Sequence, residues 1–149
     1  MKKLLYWLIQ MTWGVLTFIP GLLLTLILKL GKRPTYKNGY GFITTIGKDW
    51  GGLSLGPFAF CGRYNELDGP CPSMNMFNRM RYHEFGHSIQ VLFMGPLFII
   101  VVAIPSAIRY WYYRLTPAKK HKGYDDIWIE GFATIHGYKW IHNLEKEKI

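Results

Sequence analysis

Acidic residues are scarce in this chain. Nine Asp and Glu stand against eighteen Lys and Arg, for a formal charge of +9 over 149 residues. Such an excess ordinarily points to a polyanionic partner. The cations are scattered, however, and no nucleic-acid recognition motif accompanies them, so nucleic acid is set aside as a partner. Cysteine is scarcer still: Cys61 and Cys71 are the only two, and neither sits in a C-x-x-C pair. That argues against a zinc knuckle or a dithiol redox motif. The pair closes a disulfide only if its loop faces an oxidising space, and two ordinary thiols are the simpler reading. Internal repeats and low-complexity tracts are absent. The length leaves room for one compact domain, not two.

Charge is absent altogether from Leu4 to Leu28, a run of 25 residues behind Met1-Lys2-Lys3. As helix it measures about 37 Å, against a bilayer core of about 30 Å. Trp7 and Trp13 resemble interfacial anchors, and Lys29, Lys32 and Arg33 close the far end. The run is too long for a cleaved signal peptide, and no small-x-small cleavage site follows it. Residues 1–33 are therefore expected to form an N-terminal membrane helix kinked at Pro20-Gly21; the alternative is two shorter pieces that dip in and return. Cations cluster after the run more than before it, which puts the remainder on the cytoplasmic side of the membrane, with membrane lipid as a partner.

Residues 34–149 are expected to form the working domain. Glycines recur from Gly39 to Gly56 between the short runs Tyr40 to Ile46 and Leu53 to Phe60, which is strand-and-turn composition. Leu53-Ser54-Leu55 alternates as a half-buried strand, and Pro57 confines it to a sheet edge. An edge strand can align an extended peptide by main-chain hydrogen bonds; a hairpin that merely packs on a helix is the plainer alternative. Arg63 to Asn78 reads as loop, with Asn75 or Asn78 as cap of a helix running from Arg79 to about Phe93. Gly95-Pro96 ends that helix. Ile89 to Ile108 is uncharged for twenty residues, but Gly95, Pro96 and Pro105 divide it. Arg109 to Tyr113 has interfacial composition, and Arg114 to Lys122 is basic and polar. Tyr124 to about Leu144 reads as an amphipathic helix opened by Asp125-Asp126.

The chemistry is concentrated in His83-Glu84-Phe85-Gly86-His87, an H-E-x-x-H pattern. On a helix, positions i and i+4 share a face, so both imidazoles reach one ion. Catalytic zinc takes three protein ligands and keeps one position for water, and Glu84 is the expected general base. Gly86 costs helix stability and so implies close packing there. Glu130 is the expected third ligand, because it shares a stripe with Ala133, Gly137 and Trp140 or Ile141. Small residues on that stripe allow close helix approach, and a carboxylate buried there needs a cation. Asp68 is the next candidate, followed by His121, His136 and Asp126. His136 lies too far around the helix to share an ion with Glu130. Asp126 suits a partner that orients a histidine. An oxyanion stabiliser is not distinguished among the many aromatic residues.

Met80 to Gln90, Gly95-Pro96-Leu97, Ile104-Pro105-Ser106 and Trp128 to Ala133 together resemble a family of small bacterial membrane-associated zinc metallopeptidase-like proteins. The pattern is H-E-[FY]-G-H-x-x-Q, G-P-L-[FY], I-P-S and a downstream E-x-x-A helix, and Gly52 to Gly56 also fits. By analogy with glutamate-type zincins, the resemblance implies zinc on His83, His87 and Glu130, with Glu84 as base. Thr134 stands where such proteins often carry an aspartate, and Arg81 is charged where they prefer an uncharged residue. An intramembrane protease of the site-2 type uses a later Asp-Gly ligand, whereas Leu67-Asp68-Gly69 precedes the motif here. The expected fold is α+β, a minimal zincin-like helical core with a small antiparallel hairpin or sheet. The expected function is a membrane-anchored zinc metallopeptidase acting on a peptide or protein. The alternatives are a membrane scaffold with a structural or vestigial zinc site, and a small membrane-disrupting protein that needs no metal. Bringing Glu130 to the histidines requires that Leu97 to Ile104 turn back and not cross the membrane.

Overall fold

A computed structural model describes residues 2–46, 51–62, 73–117 and 126–146, with the side chains of 73–76 excepted. The uncharged N-terminal run forms two helices, α1 (Lys2–Thr12) and α2 (Val15–Leu30). They meet at 99°, and no single helix among the described residues is long and apolar enough to cross a membrane. The break falls at Trp13-Gly14, and Pro20 is carried inside α2. The expected kink at Pro20-Gly21 is thus corrected, and its cause is tertiary. A Cβ on Gly14 would stand 2.8 Å from Val91, so the turn is made where the chain presses on the helix Ser73–Met94.

Both helices belong to the packed body. Tyr6 and Gln10, one turn apart on α1, reach Ser88: the Tyr6 hydroxyl lies 2.5 Å from its Oγ, and Gln10 Nε2 donates to its carbonyl at 2.9 Å. Thr17, Gly21 and Thr25 form the buried stripe of α2. The two threonine hydroxyls donate to carbonyls within the chain's own preceding turn, so a polar stripe is buried with its donors satisfied.

Four strands follow: β1 (Thr35–Asn38), β2 (Gly41–Thr45), β3 (Gly52–Leu55) and β4 (Phe58–Cys61). Each hairpin turns at a glycine with positive φ, Gly39 and Gly56, which side-chain-bearing residues avoid. The sheet order is β1-β2-β4-β3, with β2 and β4 parallel. The expected antiparallel sheet is therefore a mixed one. The second hairpin lays β4, not β3, beside β2, because the unbroken apolar run Phe58-Ala59-Phe60-Cys61 needs cover on both faces. All four of its residues are buried. That leaves β3 at the edge, where Pro57 had placed it.

The long helix α3 (Ser73–Met94) starts upstream of both asparagines expected to cap it. It ends where expected, at Gly95, whose φ is +51° and whose Cα faces the Trp13 ring. A π-helical stretch, Ile99–Ala103, leads into α4 (Ile104–Leu115). Pro105 was expected to end this run, but it lies in the first turn of α4. A helix's first turn makes no demand on that missing N–H. Finally, α5 (Trp128–Lys146) packs along α3. Phe98 and Val102 bury against Val91 and Ile129, so residues 98–103 fold back over α3 and α5. The structure is mixed α+β and mostly helical.

Candidate metal centre

Three ligand atoms converge between α3 and α5. His83 Nε2 and His87 Nε2 are 3.1 Å apart, and Glu130 Oε2 stands 3.1 Å from the first and 3.3 Å from the second. Two glycines make this approach. A Cβ on Gly86 would lie 1.9 Å from the Ala133 carbonyl oxygen, and one on Gly137 would lie 1.8 Å from that of Tyr82. The buried face of α5 comprises Ile129, Glu130, Ala133, Gly137 and Ile141, so the small-residue stripe is the contact surface.

The chemistry of this trio follows from its neighbours. Gln90 Nε2 donates to the Ile129 carbonyl at 2.8 Å, which turns its Oε1 toward His87 Nδ1 at 2.7 Å. A carbonyl oxygen only accepts, so His87 carries its proton on Nδ1 and, when neutral, presents a lone pair at Nε2. His83 Nδ1 lies 2.8 Å from the Thr134 hydroxyl, which likewise turns Nε2 toward Glu130. Glu130 is wholly buried, and neither of its carboxylate oxygens makes an aligned hydrogen bond among the described residues. Such a carboxylate is costly without a cation. One proton bridges only two of the three atoms and leaves the third pressed against a lone pair. A tetrahedral zinc ion with bonds of about 2.0–2.1 Å has ligand–ligand edges of about 3.3–3.4 Å, close to the spacings found. The donor set fits the ion.

Without an ion, the histidines and the carboxylate stabilise each other's charged forms. Burial on its own would lower the pKa of His87, but the carboxylates of Glu130 and Glu84 and the Gln90 carbonyl outweigh it and hold it above the ordinary value. Burial would raise Glu130, but the two imidazoles outweigh it and hold the carboxyl far below its usual range.

Glu84 is buried on the β3 side of α3. The Ser54 hydroxyl lies 2.8 Å from its Oε2 and 2.6 Å from its main-chain oxygen. The other carboxylate oxygen rests on Gly52, where a Cβ would lie only 1.7 Å away. Leu53-Ser54-Leu55 alternates as expected of a half-buried strand, and the residue it buries is Ser54. An edge strand laid against a carboxylate turns its hydroxyl inward.

His83, Glu84 and His87 line a cleft of about 730 Å³, walled by Gly51 to Ser54 on one side and by α4 on the other. Tyr110 of α4 reaches across to Gly51, and its hydroxyl accepts from Arg114 at 3.3 Å. Asp126 is exposed, and the hydrogen bonds that orient the two imidazoles come from Thr134 and Gln90. Thr134 occupies the position of the aspartate that the resemblance leads one to expect. His136 stacks on Phe132, at 4.0 Å between ring centres. Asp68, His121 and Cys71 lie outside the described residues. Cys61 is a free thiol buried in β4, its pKa pushed up to about 12 by burial and by the Glu84 charge. No family model matches the chain, and no curated protein or solved structure matches it.

Proposed function

We propose that this protein is a membrane-associated, zinc-dependent hydrolase acting on peptide bonds. The observation that carries the reading is the convergence of His83 Nε2, His87 Nε2 and Glu130 Oε2 at 3.1–3.3 Å beside a cleft that also holds Glu84. Among the described residues no fourth His, Cys, Asp or Glu joins them. A structural zinc closes its shell with four protein ligands, whereas a catalytic one keeps a position open. That contrast favours the enzyme over a scaffold with a structural zinc.

Zinc held there supplies Lewis acidity, polarising a carbonyl and lowering the pKa of water to about 7. The chain supplies the rest. Ser54 fixes Oε2 of Glu84, which leaves Oε1 to take a proton from the attacking water and pass it to the departing amine. Gly52 lets that carboxylate rest against the strand. The edge of β3 offers main-chain donors and acceptors to an extended peptide lying in the cleft. Membrane association is supported by the exposed apolar side chains of α2, among them Leu23, Ile27 and Leu30, and by the cations Lys29, Lys32 and Arg33 at its end.

The test is metal content and hydrolysis measured together. The parent protein should hold one zinc per chain and cut a peptide library. Glu84→Gln should keep the zinc and lose on the order of 10²–10⁴-fold in rate. A Glu84→Gln protein as active as the parent would remove the mechanism.

A further inference from the structure

We propose that the cleft opens along the lipid surface and that its substrates are polypeptide segments held at the membrane; this rests on the hydrolase reading above. The segment that walls the cleft has two contrasting faces. Leu97, Ile100, Ile104, Ile108, Trp111 and Leu115 recur at intervals of three and four, and all six side chains are exposed. The opposite face carries Phe98, Val102, Ser106, Tyr110 and Arg114, which line the cleft. A helix at a protein–water boundary turns its apolar stripe inward and its polar stripe outward. Here the arrangement is reversed over the whole of α4, which has no buried residue. Ile108 is 64% exposed and Leu115 77%, while serine, tyrosine and arginine face the cleft. The medium outside α4 is therefore apolar.

The outward stripe is continuous with the N-terminal helices. Trp13, at the α1–α2 turn, lies against Gly95, which sits between the exposed Phe93 and Leu97. One apolar surface thus runs across two elements distant in sequence. Cations and aromatic rings bound it: Lys29, Lys32 and Arg33 after α2, and Arg109 to Arg114 on α4. That is the composition of a helix at an anionic headgroup layer. A net charge of +9 makes two copies of the chain repel and an anionic bilayer attract, so the occupant is lipid. Trp111 belongs both to the outward stripe and to the cleft lining. The rim of the cleft is thus the edge of the membrane-facing surface, and a peptide enters along it.

The experiment places a polarity-sensitive fluorophore at Ile108→Cys or Leu23→Cys, in a Cys71→Ser background where buried Cys61 does not react. The protein is bound to vesicles of phosphatidylcholine and phosphatidylglycerol, with quenching by spin-labelled lipid set against quenching by iodide. The inference expects both probes to be quenched by lipid and shielded from iodide. Lipid quenching at Leu23 with iodide quenching at Ile108 would overturn it and leave membrane association standing. Iodide quenching at both would overturn both. Shielding of Ile108 from both quenchers, with cross-linking through that position, would assign the face to a second copy and also overturn it. In the same vesicles, a fluorogenic peptide carrying an acyl chain should be cut on the order of a hundredfold faster than the same peptide without it. Equal rates would overturn the substrate class. Cleavage of neither by the zinc-loaded protein would overturn the hydrolase reading and the substrate class with it, while the probe positions still decide where the cleft lies.

Discussion

Gln90 ties His87 to the peptide that precedes Glu130: its Oε1 is 2.7 Å from His87 Nδ1 and its Nε2 is 2.8 Å from the Ile129 carbonyl oxygen. One amide therefore orients a ligand on α3 and registers it against the next residue's ligand on α5. The side chain is buried, so both bonds form away from water. Its two ends are chemically distinct and cannot exchange roles, because the Ile129 carbonyl has no proton to give.

Replacing that amide should loosen the metal without unfolding the protein. Gln90→Leu keeps the volume and removes both bonds, freeing His87 to rotate. Zinc affinity, read by competition with a chelator, should fall by about 10–100-fold. Gln90→Glu, which keeps an acceptor for His87 but loses the donor to Ile129, should fall between the two.

Gly52 predicts a separation of binding from rate. A Cβ there would stand 1.7 Å from Glu84 Oε1 and 2.8 Å from the Met80 sulfur, so Gly52→Ala must push the carboxylate aside. The two histidines and Glu130 are not touched. Zinc stoichiometry should remain at the parental value while hydrolysis falls by about 10²-fold or more, since misplacement of about 1 Å costs that much. An equal loss of zinc and activity would show that the strand supports the ligands as well.

The α3–α5 contact predicts a stability cost. In Gly137→Ala the new methyl meets the Tyr82 carbonyl oxygen at 1.8 Å, and backbone cannot step aside as a flexible side chain can. The helices must separate, with a cost of about 1–3 kcal/mol in thermal or denaturant unfolding. Separation also draws Glu130 from the histidines, so zinc affinity should fall in the same variant. Gly31→Ala, at the exposed end of α2 with no contact closer than 3.3 Å, should change neither.

The centre also predicts how the metal-free protein responds to pH. His87 titrates above its ordinary value of 6.5 in the fold, because the nearby carboxylates and Gln90 outweigh its burial. Its contribution to stability is present in full below pH 6.5 and is lost as pH rises through the folded value. Glu130 titrates below its ordinary 4.5, because the imidazoles outweigh burial. Its contribution is present above pH 4.5 and is lost as pH falls through the folded value. Calorimetry in the presence of a chelator should therefore find the highest Tm between pH 4.5 and 6.5, with a decline above that window. Zinc must displace the His87 proton, so its affinity should rise with pH until the folded value is passed. In Glu130→Gln the alkaline decline in Tm should be reduced.

Local spacing along the chain was enough to place much of the centre. His83 and His87 share a face because they are four apart on a helix. Glu130, Ala133 and Gly137 share a stripe for the same reason, and glycine on both helices announced their close approach. Pro57 marked an edge strand, and Gly95-Pro96 marked the end of α3. Each of these depends on a helix or strand period and on a side chain's own chemistry. Which partners meet across elements was set by packing. Ser54 belongs to Glu84 because β4 takes the centre of the sheet and leaves β3 on the cleft. Thr134 and Gln90 orient the imidazoles because α5 lies on α3 in one register. The chain breaks at Gly14 and not at Pro20 because Val91 presses there. A break set by a contact 77 positions away has no local signal to read. The same holds for the inverted faces of α4: the stripe is visible as a period, but which side lines the cleft depends on residues 98–103 folding back over α3 and α5.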